Sequence, residues 1–260
     1  MILLKEKKML HRFFSTTTTA ITNNAIKLVV LDMAGTTVED KDYVNECFRQ
    51  VVAEAGLAAT REQVNSVMGL AKPVALRELL RIHGRACQEA DVERLHGRFV
   101  GEMVRFYSSD PRVREVPGAS EAFSALRAGG VKVALNSGFS RPIMQAIVDR
   151  LRWQTAIDGF IGSDQVPTGR PAPDMIRALM RLHGVSDPRA VAKVGDTPAD
   201  LLEGSSAGCG LNIAVLSGAG SLAELALFSP SLVLDSVRDL PTAIFNSSSS
   251  NNPATAQQQH

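Results

Sequence analysis

The chain has 260 residues, and its 28 Lys and Arg residues nearly balance 27 Asp and Glu residues, which leaves a formal net charge of +1. This balance provides no basic field to attract nucleic acid or an anionic membrane, and no apolar run reaches the roughly 18 to 20 residues that span a bilayer, so a small-molecule substrate is favoured. The three cysteines are far apart without Cys-x-x-Cys spacing, which argues against a disulfide framework or a thiolate metal site and favours a reducing, cytoplasmic location.

Both ends of the chain lack the pattern of a packed domain. Residues 1–24 carry four basic residues, one acid and a Ser-Thr run, which fits either a disordered extension or a transit peptide for a mitochondrion or another organelle. Residues 246–260, with a serine run and closing glutamines, have too little apolar content to pack. The fold is therefore expected within residues 25–245.

Short apolar runs alternate with amphipathic stretches through most of the chain. The first run, residues 26–31, is β-branched and ends at Asp32, which is typical of a strand buried on both faces of a parallel sheet. Further strands are predicted over residues 131–135, 159–161, 190–194, 211–215 and 232–234, and helices over residues 142–151, 174–183, 198–207 and 221–228. This alternation predicts an α/β fold, a doubly wound parallel sheet with helices on both faces.

The segment over residues 38–114 has a different pattern. Residues 43–55, 61–68, 74–83 and 91–107 all predict helices, with no strand among them. Prolines at 111 and 117 end this pattern, because a residue that precedes proline is pushed out of the helical conformation. The sequence therefore predicts a core formed by residues 25–37 and 115–245, with an all-helical insert over residues 38–114.

Acidic side chains follow two of the predicted strands. Asp32 ends the first strand, and a turn with Gly35 and Thr36 follows, whose N–H groups could cradle a phosphate while the carboxylate attacks phosphorus or binds a metal. Asp196 ends a later strand, and Asp200 lies four residues on, across a turn that opens a helix. Grouped carboxylates suit magnesium, although acids at this place could also merely cap the helix.

Two other strand ends carry hydrogen-bond donors. Ser137 and Gly138 offer a hydroxyl and an N–H after the strand at 131–135, and Arg170 lies between a glycine and a proline. Such donors are what a transferring phosphoryl group requires, although singly they also fit a helix cap or a solvated surface charge. The order of the four segments at successive strand ends is the specific signal.

The four segments resemble the four motifs of the haloacid dehalogenase-like hydrolase superfamily, in the same order, over residues 26 to about 240. The resemblance implies a Rossmann-like core in which the insert is a mobile cap that excludes water, and it is compatible with a homodimer through the cap. It also implies Asp32 as nucleophile, Ser137 and Arg170 as phosphoryl ligands, and Mg²⁺ held by Asp32, the backbone carbonyl of Ala34 and Asp196, with Asp200 close behind.

The residue two places after Asp32 indicates which branch of the superfamily the chain resembles. Most phosphatases of this type carry an aspartate there as general acid, whereas this chain has Ala34, so departure of a poor alkoxide is expected to be slower by about a hundredfold or more. The Asp-x-Ala-Gly-Thr form resembles the phosphonatase-like branch, in which a cap lysine condenses with an aldehyde and the carbon departs as an enamine. The Met-Gly-x-x-Lys form at residues 68–72 implies that Lys72 is this Schiff-base lysine, although a solvated lysine at a helix start would look the same.

Two positions depart from the phosphonatase pattern, because Ala75 and Phe139 replace a histidine and a tyrosine and neither can relay a proton. Three hypotheses remain open. The first is a magnesium-dependent hydrolase that cleaves the P–C bond of phosphonoacetaldehyde or a related small phosphonate through an aspartyl-phosphate on Asp32, with Lys72 as Schiff base. The second is a phosphatase for a small phosphomonoester such as phosphoglycolate, in which Lys72 binds only charge. The third, disfavoured by the intact aspartates, is a catalytically silent phosphate-binding protein.

Overall fold

A computed structural model describes residues 26–249, so the predictions for residues 1–24 and for the end of the tail at 250–260 lie outside the described residues. Six parallel strands form one sheet in the order β3-β2-β1-β4-β5-β6. They are β1 Leu28–Leu31, β2 Lys132–Ser137, β3 Gly159–Gly162, β4 Val191–Gly195, β5 Leu211–Val215 and β6 Leu232–Leu234. The order reverses beside β1, and ligands of such sheets bind beyond the carboxyl ends of the strands at this point.

Helices cover both faces of the sheet, as the sequence predicts. Within the described residues they are α1 Tyr43–Ala53, α2 Arg61–Asn65, α3 Lys72–Ile82, α4 Glu89–Ser109, α5 Ala119–Ala128, α6 Arg141–Leu151, α7 Asp174–Leu182, α8 Pro198–Ala207, α9 Leu222–Ala226 and α10 Leu240–Ser249. The α/β fold with a doubly wound parallel sheet is therefore confirmed.

The central strand β1 is buried on both faces. All four of its residues are inaccessible to solvent. Val29 and Leu31 pack into an apolar cluster shared with α1 to α6, whereas Leu28 and Val30 pack on the other face against α7. This explains why the strand is an uninterrupted apolar run, since both of its faces need apolar side chains.

The first four helices form an insert between β1 and α5 that leaves and rejoins the core through two adjacent segments. The N–H of Glu39 donates to the carbonyl of Arg114 at 3.0 Å, and the N–H of Val116 donates to the carbonyl of Thr37 at 2.9 Å. The longest helix of the insert, α4, packs along the core helix α6. The start of α3 therefore lies over the carboxyl edge of the sheet, where the backbone of Leu70 meets Gly138.

Two helices are not predicted from the sequence. Helix α5 buries Ala119, Ala122, Phe123 and Leu126, which have helical spacing but give little apolar contrast because two of them are alanines. Helix α10 runs to Ser249, past residue 245 where the predicted core ends, and it packs against α5. Helix α3 begins two residues earlier than predicted, at Lys72, because proline is tolerated in a first turn.

Candidate active site

Three aspartates meet at the carboxyl edge of the sheet. Asp32 follows β1, Asp196 follows β4, and Asp200 lies in the first turn of α8. One carboxylate oxygen from each residue lies within 4.8 Å of the other two, and all three residues are buried. The structure thus brings together the three acids that the sequence singles out, in an arrangement that can hold a metal ion.

Asp196 and Asp200 are fixed by hydrogen bonds from neighbouring loops. The two carboxylate oxygens of Asp196 accept from the hydroxyl of Thr36 and from the N–H of Ala219, both at 2.8 Å. Asp200 Oδ2 accepts from the N–H of Thr197 at 3.2 Å and from its hydroxyl at 2.6 Å. Asp200 therefore caps α8, as the alternative interpretation states, and also belongs to the cluster.

Arg170 is only 1% exposed and is enclosed by acceptors, so it is not a solvated surface charge. Its Nε donates to Glu203 at 2.9 Å, and its Nη1 donates to Asp32 Oδ1 at 2.6 Å and lies 2.9 Å from Asp200 Oδ1. Its Nη2 donates to the backbone and side-chain oxygens of Asn136 at 2.9 and 2.6 Å. Four of the five N–H donors of the guanidinium therefore make hydrogen bonds, and the contact of Nη1 with Asp200 is an ion pair. Arg170 orients Asp32 in this structure, and its direct contact with a phosphoryl group stays a prediction.

A second buried cation, Lys193, completes the same network and is given no role by the sequence analysis. Its Nζ donates to Asn136 Oδ1 at 2.7 Å and lies 2.9 Å from Asp200 Oδ1 and 3.4 Å from Glu203 Oε2. Two features of the sequence could have indicated this network. Lys193 is a charged residue inside an otherwise apolar strand, and Glu203 is an acid one turn after Asp200 on α8.

Gly35 and Thr36 are predicted to cradle a phosphate, but the structure uses their N–H groups within the turn. The N–H of Gly35 donates to the carbonyl of Val38 at 2.8 Å, and that of Thr36 to the carbonyl of Met33 at 3.2 Å. Gly35 has φ +89°, and a Cβ there would lie 2.5 Å from Asp196 Oδ2, so only glycine allows this approach. The two residues thus position Asp196.

The remaining predicted residues line one narrow cavity of about 30 Å³ between the sheet and the insert, called here the enclosed space. Its lining includes Ala34, Ser137, Gly138, Asp32, Asp40, Asp196 and Lys72. A Cβ on Gly138 would lie 2.3 Å from the carbonyl oxygen of Leu70, so a glycine is needed where the insert touches the core. The structure thus brings the start of α3 against the site.

Lys72 is the first residue of α3 and is 3% exposed, so the alternative of a solvated lysine is wrong. Its Nζ lies 5.7, 5.9 and 5.4 Å from the ring centroids of Phe48, Phe99 and Phe139. These three rings, the aromatic cage, come from α1, α4 and the loop after β2. The lysine therefore reaches the enclosed space through an apolar sleeve, where an amine is poorly solvated.

The sequence matches a family model of haloacid dehalogenase-like hydrolases over residues 26–208. The chain belongs to this family. A phosphonoacetaldehyde hydrolase from Bacteroides fragilis is 32% identical over 191 residues, which cover 69% of this hydrolase and 72% of the relative. Another from Bacillus cereus is 29% identical over 209 residues, which cover 76% and 78%.

Solved structures share the fold of this hydrolase. A phosphonoacetaldehyde hydrolase-like protein from Oleispira antarctica superposes with a TM-score of 0.74 at 24% identity, covering 87% of this chain and 94% of that one. A predicted phosphoglycolate phosphatase from Haemophilus somnus superposes with a TM-score of 0.71 at 19% identity, covering 84% and 98%. In the hydrolase itself, no helix within residues 26–249 combines the length and apolarity needed to cross a membrane.

The charges around the aspartate cluster of this hydrolase fit a divalent cation. Burial raises the pKa of Asp196 well above its ordinary value, and the neighbouring Asp32 and Asp200 raise it further. The buried side chains here have an excess of two negative charges when all are ionised. The two cations are Arg170 and Lys193, and the four carboxylates are those of Asp32, Asp196, Asp200 and Glu203. A divalent cation would balance this excess, and an all-oxygen donor set is the one that Mg²⁺ prefers.

The aromatic cage changes the acidity of Lys72. Burial lowers the pKa of its ammonium to about 8, against the opposing attraction of Asp32 and Asp40. Arg170 acts in the same direction as burial, whereas Cys47 weakly opposes it. Lys72 is also the first residue of a helix, next to the positive end of the helix dipole, which is unfavourable for a cation. Lys72 is therefore a neutral, nucleophilic amine in about a tenth of the molecules at pH 7, which is far more than for a free lysine.

Replacing Glu203 by Gln is expected to destabilise the hydrolase by about 3 kcal/mol, because it removes one partner of a buried ionic network. Glu203 accepts from Arg170 at 2.9 Å and from the amide of Asn136 at 2.8 Å. Urea unfolding followed by circular dichroism measures the change. The variant Glu121→Gln, which alters an exposed acid on α5, is the control, and an equal stability of the two variants would contradict this role for Glu203.

Proposed function

We propose that this hydrolase cleaves the P–C bond of phosphonoacetaldehyde, or of a closely related small phosphonate with a carbonyl group. The observation that carries the proposal is the position of Lys72, whose amine lies in an aromatic cage and faces the same enclosed space as Asp32. A phosphatase has no need of a neutral amine beside its nucleophile. The curated relatives named phosphonoacetaldehyde hydrolase support the same substrate class.

Asp32 is the proposed nucleophile toward phosphorus. Its Oδ1 accepts from Arg170 at 2.6 Å, which fixes the carboxylate so that the other oxygen is directed to the substrate. Attack forms an aspartyl-phosphate, which water then hydrolyses to release phosphate. Asp32, Asp196 and the carbonyl of Ala34 would hold Mg²⁺, which would neutralise charge on the phosphoryl oxygens. Ser137, whose hydroxyl accepts from the N–H of Phe139 at 3.2 Å, can turn its proton to a phosphoryl oxygen.

Lys72 is the proposed nucleophile toward carbon. Its neutral amine adds to the aldehyde carbonyl, and loss of water gives an iminium ion. When the P–C bond breaks, its electron pair moves into the iminium and forms an enamine, so no free carbanion is released. This pathway avoids a protonated leaving alkoxide, which explains how Ala34 can stand where a phosphatase has its general acid.

Substrate entry requires the insert to move away from the core. The enclosed space of about 30 Å³ has room for roughly one water molecule, which is too little for a phosphonate with its own three phosphoryl oxygens. A larger cavity of about 580 Å³ lies beside Arg170, between the start of α3 and the segment from Pro167 to Ala172. We propose that the insert, residues 38–114, is a cap that opens along this cleft.

Reductive trapping tests the proposed function. The protein is incubated with phosphonoacetaldehyde and magnesium, reduced with borohydride, digested and analysed by peptide mass spectrometry. We expect one adduct, on the peptide that contains Lys72. Lys193 is a matched internal control, because it is equally buried but held by Asn136 and Asp200. No adduct on Lys72, or an equal yield on Lys193, would remove the Schiff base from the proposal.

The rate of trapping is expected to depend on pH. Since the neutral amine is the reactive form and the pKa of Lys72 is lowered to about 8, the rate should rise about tenfold per pH unit well below 8 and level off above it. A series of borohydride quenches between pH 6 and about pH 10 measures this profile. A rate that keeps rising up to pH 10, as for an exposed lysine, would contradict the effect of the aromatic cage.

A second candidate function is hydrolysis of a small phosphomonoester such as phosphoglycolate. One observation favours it: the two positions beside Lys72 hold side chains that cannot relay a proton. Ala75 is buried, and the ring centroid of Phe139 lies 5.4 Å from Lys72 Nζ. In this case Lys72 binds the charge of the substrate. Faster phosphate release from phosphoglycolate than from phosphonoacetaldehyde, without a trapped adduct, would favour this function.

A further inference from the structure

Three carboxylates line the enclosed space, and one of them, Asp40, does not belong to the aspartate cluster. Asp40 lies two residues beyond Val38, where the insert leaves the core, and it lines the enclosed space together with Asp32 and Lys72. Lys72 and Asp40 act on each other electrostatically. Nothing in the local sequence pattern distinguishes Asp40 from Glu39 or Asp42, so no role was predicted for it.

The start of α1 fixes the Asp40 carboxylate. Its Oδ1 accepts from the N–H of Val44 at 3.2 Å, and the N–H of Tyr43 also interacts with the carboxylate. Capping of a helix start is a sufficient structural reason for an acid here. It does not explain why the same carboxylate lines the enclosed space with a buried lysine, and this second feature leads to chemistry.

The surroundings of Asp40 favour its neutral form more than water does. Burial raises the pKa of the carboxyl above its ordinary value, and the nearby Asp42 adds to this effect. The N–H groups at the start of α1 and the charge of Lys72 act in the opposite direction. Tyr107, from α4, is the other titratable group coupled to it, and burial raises the pKa of this phenol well above its ordinary value. Asp40 can therefore exchange a proton, whereas Tyr107 stays neutral.

Formation of an imine needs a group that both gives and takes a proton. The positions where this chain has Ala34, Ala75 and Phe139 cannot serve, because none of these side chains carries an exchangeable proton. Among the described residues that line the enclosed space, the carboxylates are Asp32, Asp40 and Asp196. Since Asp32 attacks phosphorus and Asp196 belongs to the aspartate cluster, Asp40 is the remaining acid.

We propose that Asp40 is the acid–base residue of Schiff-base chemistry at Lys72, an inference that rests on the proposed function. Lys72 adds to the aldehyde carbon and forms a carbinolamine. The Asp40 carboxyl gives its proton to the carbinolamine hydroxyl, the C–O bond breaks, and water leaves with that proton, so that an iminium ion and an Asp40 carboxylate remain. After P–C cleavage, the enamine carbon takes the proton that is released when water hydrolyses the aspartyl-phosphate. The Asp40 carboxylate then takes a proton from the water that adds to the iminium carbon. Release of acetaldehyde then restores the carboxyl and the amine.

The variant Asp40→Asn tests this role. Asparagine can still accept from the N–H of Val44 and cap α1, but it cannot exchange a proton. We expect the rate of the borohydride-trapped adduct on Lys72 to fall by about a hundredfold, with little change in the melting temperature. Glu39→Gln is the matched control, since Glu39 lies in the same segment, pairs with Lys41 at 3.3 Å and does not line the enclosed space. Its trapping rate should equal that of the wild type.

The outcomes separate the inference from the proposed function. If the wild type gives no adduct, the Schiff base itself is refuted and the role of Asp40 with it. If the wild type gives the adduct and Asp40→Asn gives it at the same rate, the Schiff base stands and the inference is overturned. If Asp40→Asn does not fold, Asp40→Ser, which also caps a helix start without acting as an acid at neutral pH, replaces it in the same comparison.

Discussion

Replacement of Asp32 by Asn is expected to lower phosphate release by about 10⁴-fold or more, the scale on which enzymes lose turnover with their nucleophile. An amide has nearly the shape of a carboxylate but does not attack phosphorus. Its oxygen can still accept from Nη1 of Arg170, as Asp32 Oδ1 does at 2.6 Å. The loss should therefore be chemical rather than structural.

Two measurements make this expectation specific to a nucleophile. Borohydride applied during turnover of the wild type should reduce an acyl-phosphate and convert residue 32 into homoserine, which peptide mass analysis detects. Thermal unfolding of Asp32→Asn should show no loss of stability, because burial raises the pKa of Asp32 and the variant removes one of several crowded carboxylates. Full turnover by the variant with phosphonates and phosphomonoesters would refute an aspartyl-phosphate.

Replacement of Lys72 by Met is expected to lower turnover of phosphonoacetaldehyde by about 10³-fold. This is within the range of rate enhancement that proton-transfer and covalent catalytic groups usually contribute. Methionine is long and apolar, so it fits among Phe48, Phe99 and Phe139 where the lysine now lies. Steady-state kinetics with phosphonoacetaldehyde and phosphoglycolate measure the effect. If both activities fall equally, Lys72 binds charge and forms no Schiff base.

The same substitution should make the protein more stable. The folded pKa of Lys72 is about 8, below the 10.5 of a free lysine, so the unfolded chain binds more protons and folding is penalised below pH 8. At pH 7 the gain in the free energy of unfolding on removing the charge is about 2 to 3 kcal/mol. Wild-type stability should also rise between pH 8 and pH 10.5, and the variant should lack this rise. Lys193→Met is the contrasting control, because it breaks ion pairs with Asp200 and Glu203 and should destabilise the protein.

The sequence alone was sufficient for the fold and for the aspartate cluster. Asp32 and Asp196 each end an apolar strand, and the carboxyl ends of parallel strands meet at one edge of a sheet. This rule needs no knowledge of which side chains touch, only the order and direction of the strands. The same rule brings Ser137 and Gly138 to this edge of the sheet. The insert was predicted on a different ground, because four helical patterns follow one another without a strand.

Other features of the site depend on residues too far apart in the chain for a local pattern to reveal. The sequence identified Arg170, but its acceptors lie on three other elements, so only the structure shows that it is buried among them and orients Asp32. No role was predicted for Lys193, yet it is fully buried beside Asp200. Gly35 turns its N–H inward, since the turn closes on itself.

Lys72 and Asp32 show where the boundary between sequence and structure lies. The sequence determined that both residues are present, one at a strand end and the other after a Met-Gly pair. Only the tertiary structure decided that they face one enclosed space, that three aromatic rings surround the amine, and that Asp40 joins them. The reason is physical: strand order follows from a repeating local pattern, whereas the desolvation and charge that set a pKa come from contacts between distant segments.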